Sequence, residues 1–258
     1  MIAYVRLLVS RIIQKVVGQS PRYTLAYCAE WCSYYLPISI RKYLAREAYD
    51  ATLVSIVIPV YCKGRYQSHL ASLRTLLSEY LPRQTYSHYE AIVIPDGPDE
   101  AVSGMVEQLN DKRIRCYPTK THQGYWGHQG TRIGISLARG AFFVRMNADN
   151  YPFPHYLETL YKGFGEDVGF SYARVEFKDQ AKAFHLADHA TPFIPEDRAG
   201  TLKKGNIDCM NYMVRMSHAK QYRWYWNNSL EADWKFIEGL LRHRIQGRFI
   251  DQIVGDKC

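Results

Sequence analysis

The sequence predicts an α/β fold with a mainly parallel central sheet, and three observations carry that prediction. Residues 53–61, LVSIVIPVY, form an unbroken apolar run rich in β-branched side chains, the pattern of a strand buried on both faces. Residues 89–97, YEAIVIPDG, repeat the pattern and stop at Asp96 and Gly97. Helical patterns lie between these runs, and strands alternating with helices favour parallel pairing.

Taken in order, a helical stretch from His69 to Tyr80 follows the first strand. After the second strand, a helix near Glu100–Leu109 leads to a short strand, RIRCYP, at 113–118. A glycine-rich loop, HQGYWGHQG (122–130), opens a helix that ends at Arg139 and Gly140. The strand AFFVRM (141–146) then runs straight into Asn147, Asp149 and Asn150, and Pro152 and Pro154 break the chain before a helical pattern resumes. VGFSYARVEF (168–177) reads as a strand, 179–205 as a long loop and NIDCMNYMVRMS (206–217) as a buried strand. SLEADWKFIEGLLRH (229–243) reads as a helix started by Ser229. No G-x-G-x-x-G follows the first strand, so a dinucleotide-binding site is unsupported.

A hydrophobic content of 47% in 258 residues is enough for a large core, and the formal net charge is +8. That charge suits an anionic substrate, an anionic membrane surface or nucleic acid. No run of five basic residues occurs, which argues against nucleic acid. The six cysteines (28, 32, 62, 116, 209 and 258) show no C-x-x-C pair and read as free thiols of a cytoplasmic protein.

Residues 1–50 differ from the remainder, which sets a boundary between an N-terminal helical extension and a domain at 51–258. The extension carries seven basic side chains (Arg6, Arg11, Lys15, Arg22, Arg41, Lys42, Arg46) against Glu30, Glu47 and Asp50. Ile2, Val5, Leu8, Val9, Ile12, Ile13 and Val16 recur at helical spacing, and Tyr23, Tyr27, Trp31, Tyr34 and Tyr35 follow. Such a helix either lies on an anionic membrane surface or packs on the main domain. Arg6, Arg11 and Lys15 interrupt the apolar run, so neither a membrane span nor a secretory signal is expected.

Asp149 leaves a buried strand where α/β sheets place ligand chemistry, at the carboxyl ends of the strands. Clustered side-chain oxygens there suit Mg²⁺ or Mn²⁺ shared with substrate phosphates; the same residues also suit an Asx-rich turn. Lys120, His122, His128 and Arg132 stand in or near the glycine-rich loop and are candidates to approach phosphates. Trp126, between glycines, is either a stacking face for a sugar or base or a core anchor. His185 and His189 have the spacing of a metal pair but no third ligand is evident.

These landmarks resemble the family-2 glycosyltransferases of the GT-A fold. The likeness runs from about residue 52 to 255, carried by VSIVIPVY, AIVIPDG, GTRIGISLARGAFFVRMNADNYPFP and EADWKFIEGL in that order. It implies an enzyme that transfers one sugar, with inversion and metal assistance, from a nucleotide-diphosphate sugar, UDP-linked by family habit, to a glycan or lipid-linked acceptor. It implies that Pro59, Val60 and Tyr61 line the nucleotide pocket, that Asp96 contacts the base, and that Asn147 and Asp149 stand at the D-x-D metal motif, with Asn147 in place of its first carboxylate. Arg132 and Trp126 join the nucleotide-sugar site in this reading. The acidic pair that supplies the base is represented by Asp233, preceded by Ala232 and, one position further back, Glu231. The Q-x-x-R-W signature of processive synthases is absent. Two other readings remain on the residues alone: a sugar-phosphate nucleotidyltransferase, and a sugar-binding or membrane-associated scaffold without catalysis.

Overall fold

The computed structural model describes residues 50–177, 202, 207–226, 229 and 231–257. The N-terminal extension, all but its last residue, lies outside the described residues, as do His185, His189, most of the loop read at 179–205, and Cys28, Cys32 and Cys258.

Eight strands form one sheet: β1 (Asp50–Val60), β2 (Tyr89–Pro95), β3 (Ile114–Cys116), β4 (Gly140–Arg145), β5 (Asn150–Pro152), β6 (Val168–Phe177), β7 (Tyr212–Arg215) and β8 (Gln246–Lys257), in the spatial order β3-β2-β1-β4-β7-β6-β8-β5. β3, β2, β1 and β4 are mutually parallel; β7 runs antiparallel to both β4 and β6, β6 and β8 pair in parallel, and β5 closes the edge antiparallel to β8. The helices are α1 (Ser68–Thr75, continued by a π-turn to Tyr80), α2 (Glu100–Leu109), α3 (His128–Leu137), α4 (Tyr156–Lys162), α5 (Met216–Tyr222) and α6 (Ala232–Arg242).

The continuous apolar strands do what their composition dictates. Val54, Ile56 and Ile58 of β1 enter one core with Leu73, Leu77, Val102, Met105 and Leu157; Val57 on the opposite face joins Ile92, Ile94, Ile133, Phe143, Phe236 and Leu240. The sheet is thus covered on both sides, which is why its central strands show no polar alternation.

Two expectations are revised. The stretch at 206–217 is not one strand: a 3₁₀ turn at Cys209–Asn211, β7 and the start of α5 share it. Asp208 stops a strand from beginning earlier, because its carboxylate caps that turn and Asn211 answers through its side chain to the Asp208 amide at 2.8 Å. Residues 246–257, left without an element on sequence pattern, form the long strand β8.

α3 lies unusually close to β1. A Cβ on Gly134 would sit 2.3 Å from Val57 Cγ1, and one on Gly127, which has φ +74°, would sit 2.6 Å from Pro59 Cβ. Glycine at these positions lets the helix settle onto the strand and brings its N-terminus against Pro59.

At the other end of the strands, Glu90 is 2% exposed and ties four elements together. It accepts from Ser55 Oγ (2.7 Å), the Arg139 amide (2.7 Å), Arg139 Nε (3.0 Å) and Arg115 Nη2 (2.5 Å). Burial alone would raise its pKa; the Arg139 amide, the Arg115 charge and the Ser55 hydroxyl outweigh that and hold it below the ordinary 4.5. Glu90→Gln is expected to cost about 3 kcal/mol in urea unfolding, at the low end for breaking a buried ion pair because Arg139 is half-exposed. A depressed carboxylate stabilises fully above its unfolded value and loses that contribution as pH falls through its folded value. The gap between variant and parent should therefore be full above pH 4.5 and shrink below it; a pH-independent gap would show that packing, not charge, holds the network.

Candidate active site

The carboxyl ends of β1, β2 and β4 carry the residues singled out from the sequence. Pro59 and Val60 end β1 and are buried; Tyr61 follows them, half-buried. Pro59 forms the floor under the Gly127 turn.

Asp96 follows β2 and is 9% exposed. Its Oδ1 accepts from the Gln123 amide (2.7 Å), and its Oδ2 accepts from the Gly124 amide (2.8 Å) and faces His122 Nδ1 at 2.9 Å. The His122 ring stacks on Tyr61 with centroids 4.3 Å apart. Asp96 therefore anchors the glycine-rich loop over the end of β1. Thr119 supports the same corner by accepting from the Gly97 amide at 2.6 Å.

The segment after β4 makes the turn expected of its composition. Asn150 Oδ1 accepts from the Asn147 amide at 2.6 Å, and Asn150 N donates to the Asn147 carbonyl. This closure leaves Asp149 half-buried, its carboxylate without a hydrogen bond among the described residues. A hard, partly exposed oxygen donor at a strand end fits Mg²⁺ or Mn²⁺.

Trp126 is 61% exposed and has φ +51°, a left-handed conformation rare for a bulky side chain. Its ring points to solvent and not into the core, while its carbonyl turns inward and accepts from Arg145 Nη2 at 2.8 Å. Arg132, a candidate phosphate ligand, instead donates through Nη1 to the Trp226 carbonyl at 2.5 Å and lies 6.0 Å from the Trp224 ring. It braces the 3₁₀ turn at Arg223–Tyr225 and the residue after it.

Asp233 stands in the first turn of α6, 19% exposed, where the helix dipole favours a carboxylate. Its Oδ1 accepts from the Tyr212 hydroxyl (3.3 Å) and lies 3.7 Å from Arg145 Nη1. Burial, then the Asp233 charge, push Tyr212 well above the ordinary tyrosine range, so it remains a donor. Glu231 is the exposed N-cap residue of α6 and gives no side-chain cap. Asp233 itself stands at the second helical position, one residue inside the helix start at Ala232.

Arg145, at the end of β4, was not anticipated. It is 3% exposed, lies 4.8 Å over the Trp226 ring, and faces Asp233, Tyr212, Asp208 and Cys209. Burial opposes its charge, but those groups outweigh it and hold its pKa above the usual arginine value. One signal in the sequence could have found it: a lone arginine inside FFVRM must be paired if the strand is buried. Asp208, Cys209 and Asp233 place metal-ligand atoms within 4.8 Å of one another. The guanidinium already supplies positive charge there, and a thiol is a poor partner for Mg²⁺ or Mn²⁺, so the hard-metal reading stays with Asp149.

The fold has counterparts among known proteins. TarS from S. aureus (residues 1–349, in complex with UDP-GlcNAc) superposes with a TM-score of 0.58 at 14% identity, covering 79% of this chain and 57% of that one. The mannosyltransferase PcManGT from Pyrobaculum calidifontis, in complex with GDP-Man and Mn²⁺, gives 0.55 at 12% identity, covering 92% and 67%. In sequence, the glycosyltransferase GlyG of Streptococcus pneumoniae is 27% identical over 112 residues, 43% of this chain and 34% of GlyG. The chain thus spans about a third of that curated relative. The architecture is the GT-A fold of nucleotide-sugar-dependent transferases. Residues 55–226, more than half of the sequence, match the glycosyl transferase family 2, and the chain belongs to that family. Among the described residues no helix is long and apolar enough to cross a membrane.

Proposed function

We propose that the chain transfers a single sugar from a nucleotide-diphosphate sugar, UDP-linked by preference, to a hydroxyl of a glycan or lipid-linked acceptor, with inversion. The observation that carries this reading is the meeting, through Arg145, of the glycine-rich loop at Trp126 with the carboxylate of Asp233. On this reading one guanidinium links the donor-side loop to the base.

The chemistry follows from the residues. Asp233 accepts the acceptor hydroxyl proton as that oxygen attacks the anomeric carbon from the face opposite the diphosphate; the C–O bond to phosphate breaks and the nucleoside diphosphate leaves. In-line displacement inverts the anomeric configuration. Asp149 would hold Mn²⁺ or Mg²⁺, which neutralises charge on the departing diphosphate. Exposed Trp126 offers an apolar face for stacking on a sugar ring. Tyr61 and Asp96 bound the nucleotide end; since Asp96 already holds the loop, it recognises the base either through its remaining lone pairs or by exchanging the His122 contact.

The decisive experiment incubates the protein with UDP-glucose, UDP-GlcNAc and GDP-mannose and Mn²⁺, and follows release of nucleoside diphosphate. Release of nucleoside diphosphate supports transfer. Formation of a nucleoside triphosphate and a sugar phosphate, once pyrophosphate is added, would support the nucleotidyltransferase reading, and binding without turnover a scaffold. Asp96→Ala is expected to weaken UDP binding at least tenfold by calorimetry, because base contact and loop anchor go together; unchanged affinity would remove Asp96 from the site.

A further inference from the structure

We infer that Arg145 is a positioning residue that couples the donor-side loop to the base: its guanidinium holds the Trp126 turn with one nitrogen and the Asp233 carboxylate with the other. This rests on the proposed role of Asp233. Only a planar fork with two separated donors can serve both partners, 2.8 Å from the Trp126 carbonyl and 3.7 Å from Asp233 Oδ1. The Trp226 ring beneath it fixes its plane. The strained backbone of Trp126 needs such an inward tether, since a non-glycine residue at φ +51° persists only where surroundings over-determine it.

Among the described residues, Arg145 from β4 and Tyr212 from β7 face Asp233, with Asp208 and Cys209 from the turn before β7 in the same cluster. Of these, Arg145 is the cation, so removing it should make the ionised base harder to form. A misplacement of about 1 Å in such a constellation can cost about 10²-fold in rate.

The test compares Arg145→Lys and Arg145→Ala with Asp233→Asn and the double variants, using diphosphate release from the donor sugars above. Arg145→Ala is expected to lower kcat about 10²-fold and to move the acid limb of its pH profile upward by about one unit or more. Arg145 and Asp233 substitutions should be non-additive, the double variant no slower than Asp233→Asn by more than about twofold. Additive losses, or an unmoved acid limb, would overturn the proposal. Arg145→Lys, which keeps the buried charge, carries the same comparison if the alanine variant does not fold. A second readout does not depend on turnover. In Arg145→Lys the Gly127 amide, bonded to the Gly124 carbonyl, should exchange its hydrogen at least about tenfold faster while β1 amides keep their rates. Unchanged Gly127 exchange would overturn the clamp. If the unaltered protein turns over no donor, the transferase reading falls, and the exchange result alone decides the clamp.

Discussion

Replacing Asp233 by asparagine is expected to lower turnover by about 10²–10⁴-fold while nucleotide affinity stays near that of the unaltered protein. The amide keeps the shape of the carboxylate and can still accept from Tyr212, so packing around α6 is preserved. What it loses is the capacity to take the acceptor proton. In the role proposed for it this group acts on the acceptor side, so the loss should fall on kcat and leave donor binding intact. Steady-state kinetics with calorimetric UDP titration checks this. A loss below about tenfold, or a product that retains the donor's configuration, would place the base elsewhere. Glu231→Gln, made in parallel, should change little, since that side chain stands exposed at the helix cap.

Asp149→Ala should have the second-largest effect. A single carboxylate holds Mg²⁺ or Mn²⁺ weakly, so the ion is expected to bind this protein only when a diphosphate supplies further oxygens. Titrating Mn²⁺ by electron paramagnetic resonance, with and without UDP, reads that dependence directly. The UDP-dependent uptake should disappear in Asp149→Ala, with turnover falling about 10²-fold or more, because charge neutralisation by a metal is worth several kcal/mol in such a displacement. Asn147→Asp, which restores a second carboxylate to the turn, should strengthen metal uptake. Full activity of Asp149→Ala, or full activity in EDTA, would take the metal out of the mechanism.

What the sequence made legible follows from how completely each element is buried. β1 from Val54 onward and β2 are covered on both faces, so apart from Ser55 and Glu90, which bond each other, their side chains had to be apolar, and they announced themselves. β8 was hidden because Arg248, Asp251 and Gln252 interrupt its apolar residues and most of its length is exposed or half-exposed. The 206–217 stretch misled because a buried helical turn and a buried strand are equally apolar over short runs, and periodicity cannot separate them. Gly127 and Gly130 read as loop; Gly130 is instead helical and, like Gly134 within the expected helix, small for the sake of contact with β1 and β2. Asp149 and Asp233 were visible as carboxylates at element ends, a position that is local information. Arg145's part was not, since it depends on residues brought together from the glycine-rich loop and from α6.

The change of strand direction at β4 has a consequence for how this protein can diverge. Everything proposed for the donor (Pro59, Tyr61, Asp96, Trp126, Asp149) comes from the chain up to the turn after β4, whereas Tyr212 and Asp233 come from the chain beyond β6. The two portions are stitched at the β4–β7 ladder, Phe142 opposite Arg215 and Phe143 opposite Val214, and across the guanidinium of Arg145. On the roles proposed above, changes in the later portion would alter the choice of hydroxyl while the earlier portion keeps the same activated sugar. The converse also holds, so long as that seam is inherited intact.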